Sequence, residues 1–268
     1  MDIKKDIAVL LHSTFTRWEY ARKTIASFLV AGFKVYFSYT GELDLEKLEF
    51  MDMLRQGGHE CYYLGWDTSP AITRNFLIDR ITEPYVFKVD DDFIYDYDEK
   101  EFELDKTIKL LEDKKGIGLV GFSVYSRKYV SPFLYDVVRE GKNIKFNKPP
   151  EAEMDHGGLK YRIVDITPDC WIAKREIFPA CNYDEQYHVS QGLHPDFFMN
   201  IKYNTFWKVA YVKSNKIYTF KHDEGWEKSD VDRKNSFYNK KRFRYLNTPK
   251  NGNDLIFLPK WGADKIIK

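Results

Sequence analysis

Residues 85–92 read YVFKVDDD, a short β-rich run that ends directly in Asp90, Asp91 and Asp92. Ser69 and Pro70 open a helix just before it (AITRNFLIDRI, 71–81), and Glu83 and Pro84 separate the two. The acidic triplet therefore stands at the carboxyl end of a strand. In open α/β sheets that is where ligands bind, because loops leaving the strand tips enclose a crevice between helices on opposite faces. Toward the N-terminus the same alternation repeats. IAVLLH (7–12) reads as a buried strand, and Thr16 stands as N-cap to a helix marked by Trp18, Ala21, Ile25 and Phe28 and stopped by Gly32. FKVYFSY (33–39) is a second strand, LDLEKLEFMDMLRQ (43–56) a charged amphipathic helix ending at Gly57 and Gly58, and HECYYL (59–64) a third strand. Strand and helix in strict alternation predict a mostly parallel sheet with helices on both faces.

Beyond the triplet, Leu104 to Lys114 has helical spacing and GIGLVGFSVYS (116–126) reads as a strand. Between Tyr129 and Tyr161 the pattern turns irregular around Pro149, Pro150, Gly157 and Gly158, which predicts a loop or hairpin insertion that contacts substrate. YRIVDI (161–166) is a strand, Pro168 to Phe178 a turn into a short helix, HPDFFMNIKYN (194–204) a helix, and FWKVAYV (206–212) and KIYTF (216–220) two closing strands.

With 268 residues, 43% of them hydrophobic, the chain buries the core of one large domain or two small ones. The net charge of +1 excludes a whole-molecule field that drives binding to nucleic acid or an acidic membrane. Charge is uneven locally: Ile201 to Lys250 holds 13 Lys plus Arg against 5 Asp plus Glu. No apolar run approaches the length of a membrane span, and the charged N-terminus does not read as a secretion signal. Cys61, Cys170 and Cys181 form no C-x-x-C pair, so neither a disulfide framework nor a zinc ribbon is expected, and a cytoplasmic location is.

Three adjacent carboxylates repel one another, and a divalent cation offsets that repulsion; oxygen ligands suit Mg²⁺ or Mn²⁺. A solvated acidic loop explains the same run, since Asp96, Asp98, Glu99, Glu101 and Glu103 follow it. Asp196, in HPDFF, falls at a helix start, where a carboxylate either complements the helix dipole or serves as a general base. His222, in KHDE just past a strand, is placed to complete an oxygen-rich metal shell, although a lone histidine is commonly a surface residue. No phosphate-cradling G-x-x-x-x-G-K-[ST], no strand-linked G-x-G-x-x-G and no G-x-S-x-G is present, which removes the P-loop, dinucleotide and nucleophile-elbow readings.

Taken in order, the N-terminal βαβα half, TRNFLIDRITEPYVFKVDDDFIYD (73–96), TPDCWIAKREIF (167–178), HPDFFMNIK (194–202) and FKHDE (220–224) resemble a nucleotide-sugar-dependent glycosyltransferase of the GT-A fold. The nearest group is family-2-like, similar in motif order to ganglioside N-acetylgalactosaminyltransferases, and the resemblance covers Ile7 to Glu224. It implies a Rossmann-like, mostly parallel sheet with a C-terminal acceptor-side subregion. The implied domain is residues 1–225, with a nucleotide-binding half to about 125 and an acceptor half beyond, followed by a basic, aromatic extension over 226–268 that packs on it. It implies that Asp90 and Asp92 form the DXD motif with Asp92 as direct metal ligand, and that Asp91 meets the ribose. Arg74 and Asn75 are then expected near the nucleotide or its diphosphate, and Trp171 against the nucleotide sugar. Asp196 becomes the base and His222 a metal or diphosphate ligand. The implied reaction is inverting transfer of a hexose or pentose, by default from a UDP-sugar with Mn²⁺ or Mg²⁺, to a hydroxyl of a glycan or small molecule.

Three alternatives use the same residues. The basic, aromatic run RKNSFYNKKRFRYLN (233–247) suits a DNA acceptor, as in phage enzymes that glycosylate a modified base. The triplet with His222 suits a metal-dependent nuclease or phosphodiesterase. Trp66, Trp171, Trp207 and Trp226 suit a non-catalytic carbohydrate-binding module. Neither of the last two requires Arg74, the triplet, Asp196 and His222 in that succession.

Overall fold

The structure is a computed structural model that describes residues 2–14, 17–66, 68–95, 102–126, 129–130, 133–187, 192–220 and 257–267. After a 3-10 turn (Ile3–Asp6) the chain runs β1 (Ile7–Thr14), α1 (Trp18–Val30), β2 (Lys34–Thr40), α2 (Leu45–Gln56), β3 (Glu60–Tyr63), α3 (Pro70–Ile78) and β4 (Tyr85–Asp90). It continues with β5 (Phe93–Ile94), α4 (Leu104–Asp113), β6 (Ile117–Ser126), β7 (Tyr129–Val130), β8 (Asp136–Glu140), β9 (Asn143–Asn147), β10 (Met154–His156) and β11 (Leu159–Val164). β12 (Trp171–Lys174), a 3-10 helix (Arg175–Ala180), α5 (Leu193–Asn204), β13 (Lys208–Thr219), α6 (Leu258–Lys260) and β14 (Lys265–Ile267) complete the described elements.

The main sheet has the order β10-β11-β13-β6-β12-β4-β1-β2-β3, with β5 on β13 and β7 on β6. β3, β2, β1 and β4 are mutually parallel; β12 runs antiparallel between β4 and β6, and β13 is again parallel to β6. The alternating side chains of β1 show why both faces are covered. Ile7, Val9 and Leu11 join the apolar layer of α1, α2 and α4, while Ala8 and Leu10 join the layer of α3 and α5. Local signals set the helix ends: Ser69 caps α3 by accepting from the Ile72 backbone N–H, and Asp44 caps α2 through Lys47. Gly32 closes the turn after α1 at φ +87°, a backbone conformation that a side chain opposes.

Two expectations change, and the expected hairpin insertion is present. WIAK, expected to lead into a helix, is the antiparallel strand β12, wholly buried at Trp171, Ile172 and Ala173, because the gap between β4 and β6 needs a strand to satisfy both edges. The two closing strands are one, β13, interrupted by irregular register between Val212 and Lys216. The irregular stretch contains a hairpin, β8 with β9, that β14 extends in parallel into a separate three-stranded sheet. Thr16, expected as N-cap, lies outside the described residues; α1 opens at Arg17 without a side-chain cap. No helix among the described residues is long and apolar enough to cross a membrane.

Candidate active site

Sheet alternation divides the acidic triplet. Val86, Lys88 and Asp90 face the α3 and α5 side, whereas Phe87, Val89 and Asp91 face α1. On the first side Lys88 Nζ sits 2.6 Å from Asp90 Oδ1 and 2.5 Å from Asp169 Oδ2, and the Lys88 side chain is 1% exposed. The register of β12 on β4 brings Asp169 there: Trp171 pairs with Lys88, which carries the residue two positions earlier up beside Asp90. Arg74, from α3, completes the cluster at 3.2 Å from Asp169 and 3.5 Å from Asp90, with its guanidinium over the Tyr183 ring. His194, in the first turn of α5, places Nδ1 3.1 Å from Asp169 Oδ1.

On the second side Arg17 spans two carboxylates, Nη1 at 3.0 Å from Asp91 Oδ1 and Nη2 at 3.0 Å from Asp92 Oδ2. The Ser13 hydroxyl donates to Asp91 Oδ2 at 2.7 Å, and the Thr219 hydroxyl to Asp92 Oδ2 at 3.0 Å. Four carboxylates (Asp90, Asp91, Asp92 and Asp169) thus meet three permanent cations, Arg17, Lys88 and Arg74. The cluster is one positive charge short, and within it Asp91 is shifted mainly by its burial. Burial above all, with help from Asp92 and Asp90 and against Arg17 and Ser13, pushes its carboxyl up to about 6. Asp169 goes the other way. Burial disfavours its charge, but Lys88, Arg74 and His194 hold it well below the usual carboxylate range.

The structure brings Arg74, Asp90, Asp91 and Asp92 together, and it places Asp91, Asn75, Trp171 and Asp196 in contacts other than those the resemblance implies. Asp91 is not open to a ribose: it is 5% exposed and both of its oxygens are taken by Arg17 and Ser13. Asn75 faces the chain and not a nucleotide. Its amide donates to Tyr183 O at 2.9 Å and Glu185 Oε1 at 3.0 Å and accepts from the Tyr183 N–H, so it straps the 183–185 loop to α3. Trp171 is fully buried and lies flat on Phe197, centroids 5.4 Å apart, where it anchors α5 to the sheet and offers no face to a sugar.

Asp196 is also turned away. It is fully buried, accepting from Trp261 Nε1 at 2.8 Å and from Lys260 Nζ at 2.9 Å, and no described contact ties it to the triplet. Helix geometry is the reason: residues two apart are about 200° apart around the axis, so with His194 toward Asp169, Asp196 points to the opposite side. Burial raises its carboxyl, against the opposing pull of Lys260 and Trp261. His222, Trp226 and the basic run 233–247 lie outside the described residues, but residues 257–267 return to the domain, with Phe257 buried and β14 on β9.

Arg17, Lys88, Asp169 and His194 were not singled out as site residues. Lys88 had a legible signal, a lysine inside an apolar strand. Asp169 and His194 had none, since only strand register and helix phase bring them in. Among the described residues no three His, Cys, Asp or Glu side chains converge on one metal position. Asp90 Oδ2 and Asp92 Oδ1 nevertheless take no ion pair among the described residues, which leaves two hard oxygens. That suits a cation of the Mg²⁺ kind, which takes one or two carboxylates and completes its shell with substrate phosphates.

By sequence the chain matches no protein-family model and no curated protein. By fold it is similar to S. aureus TarS residues 1–349, at 12% identity and a TM-score of 0.56 over 95% of this chain and 77% of that one. The same TarS fragment in complex with UDP-GlcNAc gives 11% identity and a TM-score of 0.54 over 80% and 58%. The chain spans about half of the longer S. aureus TarS structure, 46%, at a TM-score of 0.53. The mixed α/β architecture is the Rossmann-like glycosyltransferase fold, and the structures it resembles include complexes with UDP and UDP-GlcNAc.

Proposed function

We propose that this protein is a metal-dependent, inverting glycosyltransferase that moves a hexose or pentose from a UDP-sugar to a hydroxyl acceptor. The observation that carries the reading is the charge arrangement at the carboxyl end of β4. Asp90, 35% exposed in its side chain, is fixed by Lys88 and Arg74 at the mouth of a sheet of this fold, and the surrounding cluster lacks one positive charge. Asp90 and Asp92 would hold a divalent cation, which would more than offset that deficit and, when bound, would stabilise the leaving diphosphate.

The chain's own residues do the rest. Arg17 holds Asp91 and Asp92 in place and prevents their mutual repulsion from opening the loop after β4. Lys88, Arg74 and Asp169 fix the direction of Asp90, so that little reorganisation accompanies donor binding. An acceptor hydroxyl that attacks C1 from the face opposite the diphosphate inverts that centre.

Calorimetric titration with UDP, with and without Mn²⁺, tests this reading in wild type and in Asp90→Asn. Metal-dependent binding that weakens at least tenfold in the variant is the expected result. Absence of binding to UDP, GDP, CMP and dTDP with metal present overturns it, and cleavage of DNA without any nucleotide sugar selects the nuclease reading instead.

A further inference from the structure

Inverting transfer needs a group that takes the acceptor's proton, and Asp196, buried against Lys260 and Trp261, does not face the acidic cluster. We propose that His194 is the general base, held by Asp169 as its positioning residue. This inference rests on the transferase reading and deepens it.

Three observations converge on the imidazole. Its Nδ1 lies 3.1 Å from Asp169 Oδ1, and Asp169 is in turn bound to Lys88 and Arg74, the two cations that also hold Asp90. The ring therefore belongs to the same network as the carboxylate assigned to the metal and the diphosphate. Secondly, both ring nitrogens are screened from solvent and neither makes a hydrogen bond among the described residues; Nδ1 meets Asp169 as an ion-pair contact, and Nε2 has no partner of either kind. A buried ring nitrogen without a partner is costly in the resting protein, and an acceptor hydroxyl relieves that cost. Thirdly, the ring is packed between Phe198, centroid 5.0 Å away, and Phe133, 6.0 Å away and half exposed. Phe133 offers an apolar face on which a sugar ring stacks while its hydroxyl meets Nε2. The charged groups on this side of the imidazole are Asp169 directly, with Lys88, Arg74 and Asp90 behind it.

The step balances. With the ring proton on Nδ1, the nitrogen nearest Asp169, the neutral imidazole accepts the acceptor's hydroxyl proton at Nε2, and that oxygen forms its bond to C1. The bond from C1 to the diphosphate oxygen breaks, and its electron pair leaves on UDP. The imidazolium so formed is paired with ionised Asp169 and later returns the proton to water. The dyad resembles the histidine and aspartate of hydrolytic triads in division of labour, with the carboxylate fixing tautomer and orientation.

The test uses the full chain with UDP-GlcNAc and UDP-glucose and follows UDP release, with water as the universal acceptor, beside UDP affinity and melting temperature for each variant. His194→Gln is expected to lower kcat by about 100-fold or more with UDP affinity within about twofold of wild type. Asp196→Asn is expected to keep kcat. Asp169→Asn is expected to move the acid limb of the kcat profile to lower pH, because the cation formed on His194 has lost its counter-charge, which a purely structural role does not produce. Wild-type kcat and an unshifted profile in folded His194→Gln and Asp169→Asn overturn the inference while leaving the transferase reading standing. Loss of kcat in Asp196→Asn alone returns the base to Asp196. A wild type that binds no nucleotide overturns both.

Discussion

Trp261 Nε1 donates to Asp196 Oδ1 at 2.8 Å, joining residues 65 apart and closing the C-terminal segment over α5. Phe257 is fully buried and Leu258 nearly so on the same side of the sheet. Truncation after residue 256 therefore exposes two apolar side chains and leaves Asp196 buried without its donors. A loss of about 4 kcal/mol is expected in urea unfolding, from the apolar area and the unpaired carboxylate together. A truncated chain as stable as the full one shows that these contacts contribute nothing.

Asn75 uses both ends of its amide on the 183–185 loop, and Tyr183 in that loop lies under Arg74. Asn75→Ala removes three hydrogen bonds and leaves the Tyr183 N–H unpaired in the interior. The expected cost is about 2–3 kcal/mol, with UDP affinity lowered only modestly, as loosening of the Arg74 support predicts. Equal stability of Asn75→Ala and wild type in thermal melts contradicts the strap.

Asp169 is an acid-sensitive group of the fold. Burial opposes its charge, yet Lys88 first, then Arg74 and His194, hold it well below the ordinary carboxylate range. A depressed folded value stabilises the fold above the unfolded carboxylate pKa of about 3.9, and that contribution is lost as pH falls below it toward the folded value. Denaturant melts are expected to show stability dropping from about pH 4 downward. Asp169→Asn is expected to flatten that slope and to cost about 3 kcal/mol at pH 7, since Lys88 and Arg74 lose a buried partner.

Gly121, on β6 opposite Trp171, has no room for a side chain: a Cβ there collides with Oγ1 and Cγ2 of Thr167. Gly121→Ala is expected to cost about 3 kcal/mol by overpacking. Adding Thr167→Gly to the same chain should recover part of that loss, a coupling that a double-mutant cycle in urea reads directly. Additive effects of the two changes rule out the clash.

The alternation of strand and helix from Ile7 to Asp90 is legible in the sequence because each element carries its own period and its own stop, as Ser69, Pro70 and Gly32 show. β12 was not legible. Its four residues have no helical or strand periodicity long enough to separate the two, and their strand form comes from the open edges of β4 and β6.

The same division holds for the site. Sequence by itself determined that the Asp90 to Asp92 triplet ends a buried strand of an α/β sheet, since apolar run, turn residues and carboxylates are contiguous. Only the tertiary structure decided which charges answer them. Arg17, Lys88, Arg74 and Asp169 are scattered over more than half of the chain and meet through the parallel register of β1 on β4 and the antiparallel register of β12 on β4. It also decided that His194 and not Asp196 joins that cluster. The two lie in one helical turn, and a rotation of about 200° between them separates a residue facing the acidic cluster from one sealed under Trp261.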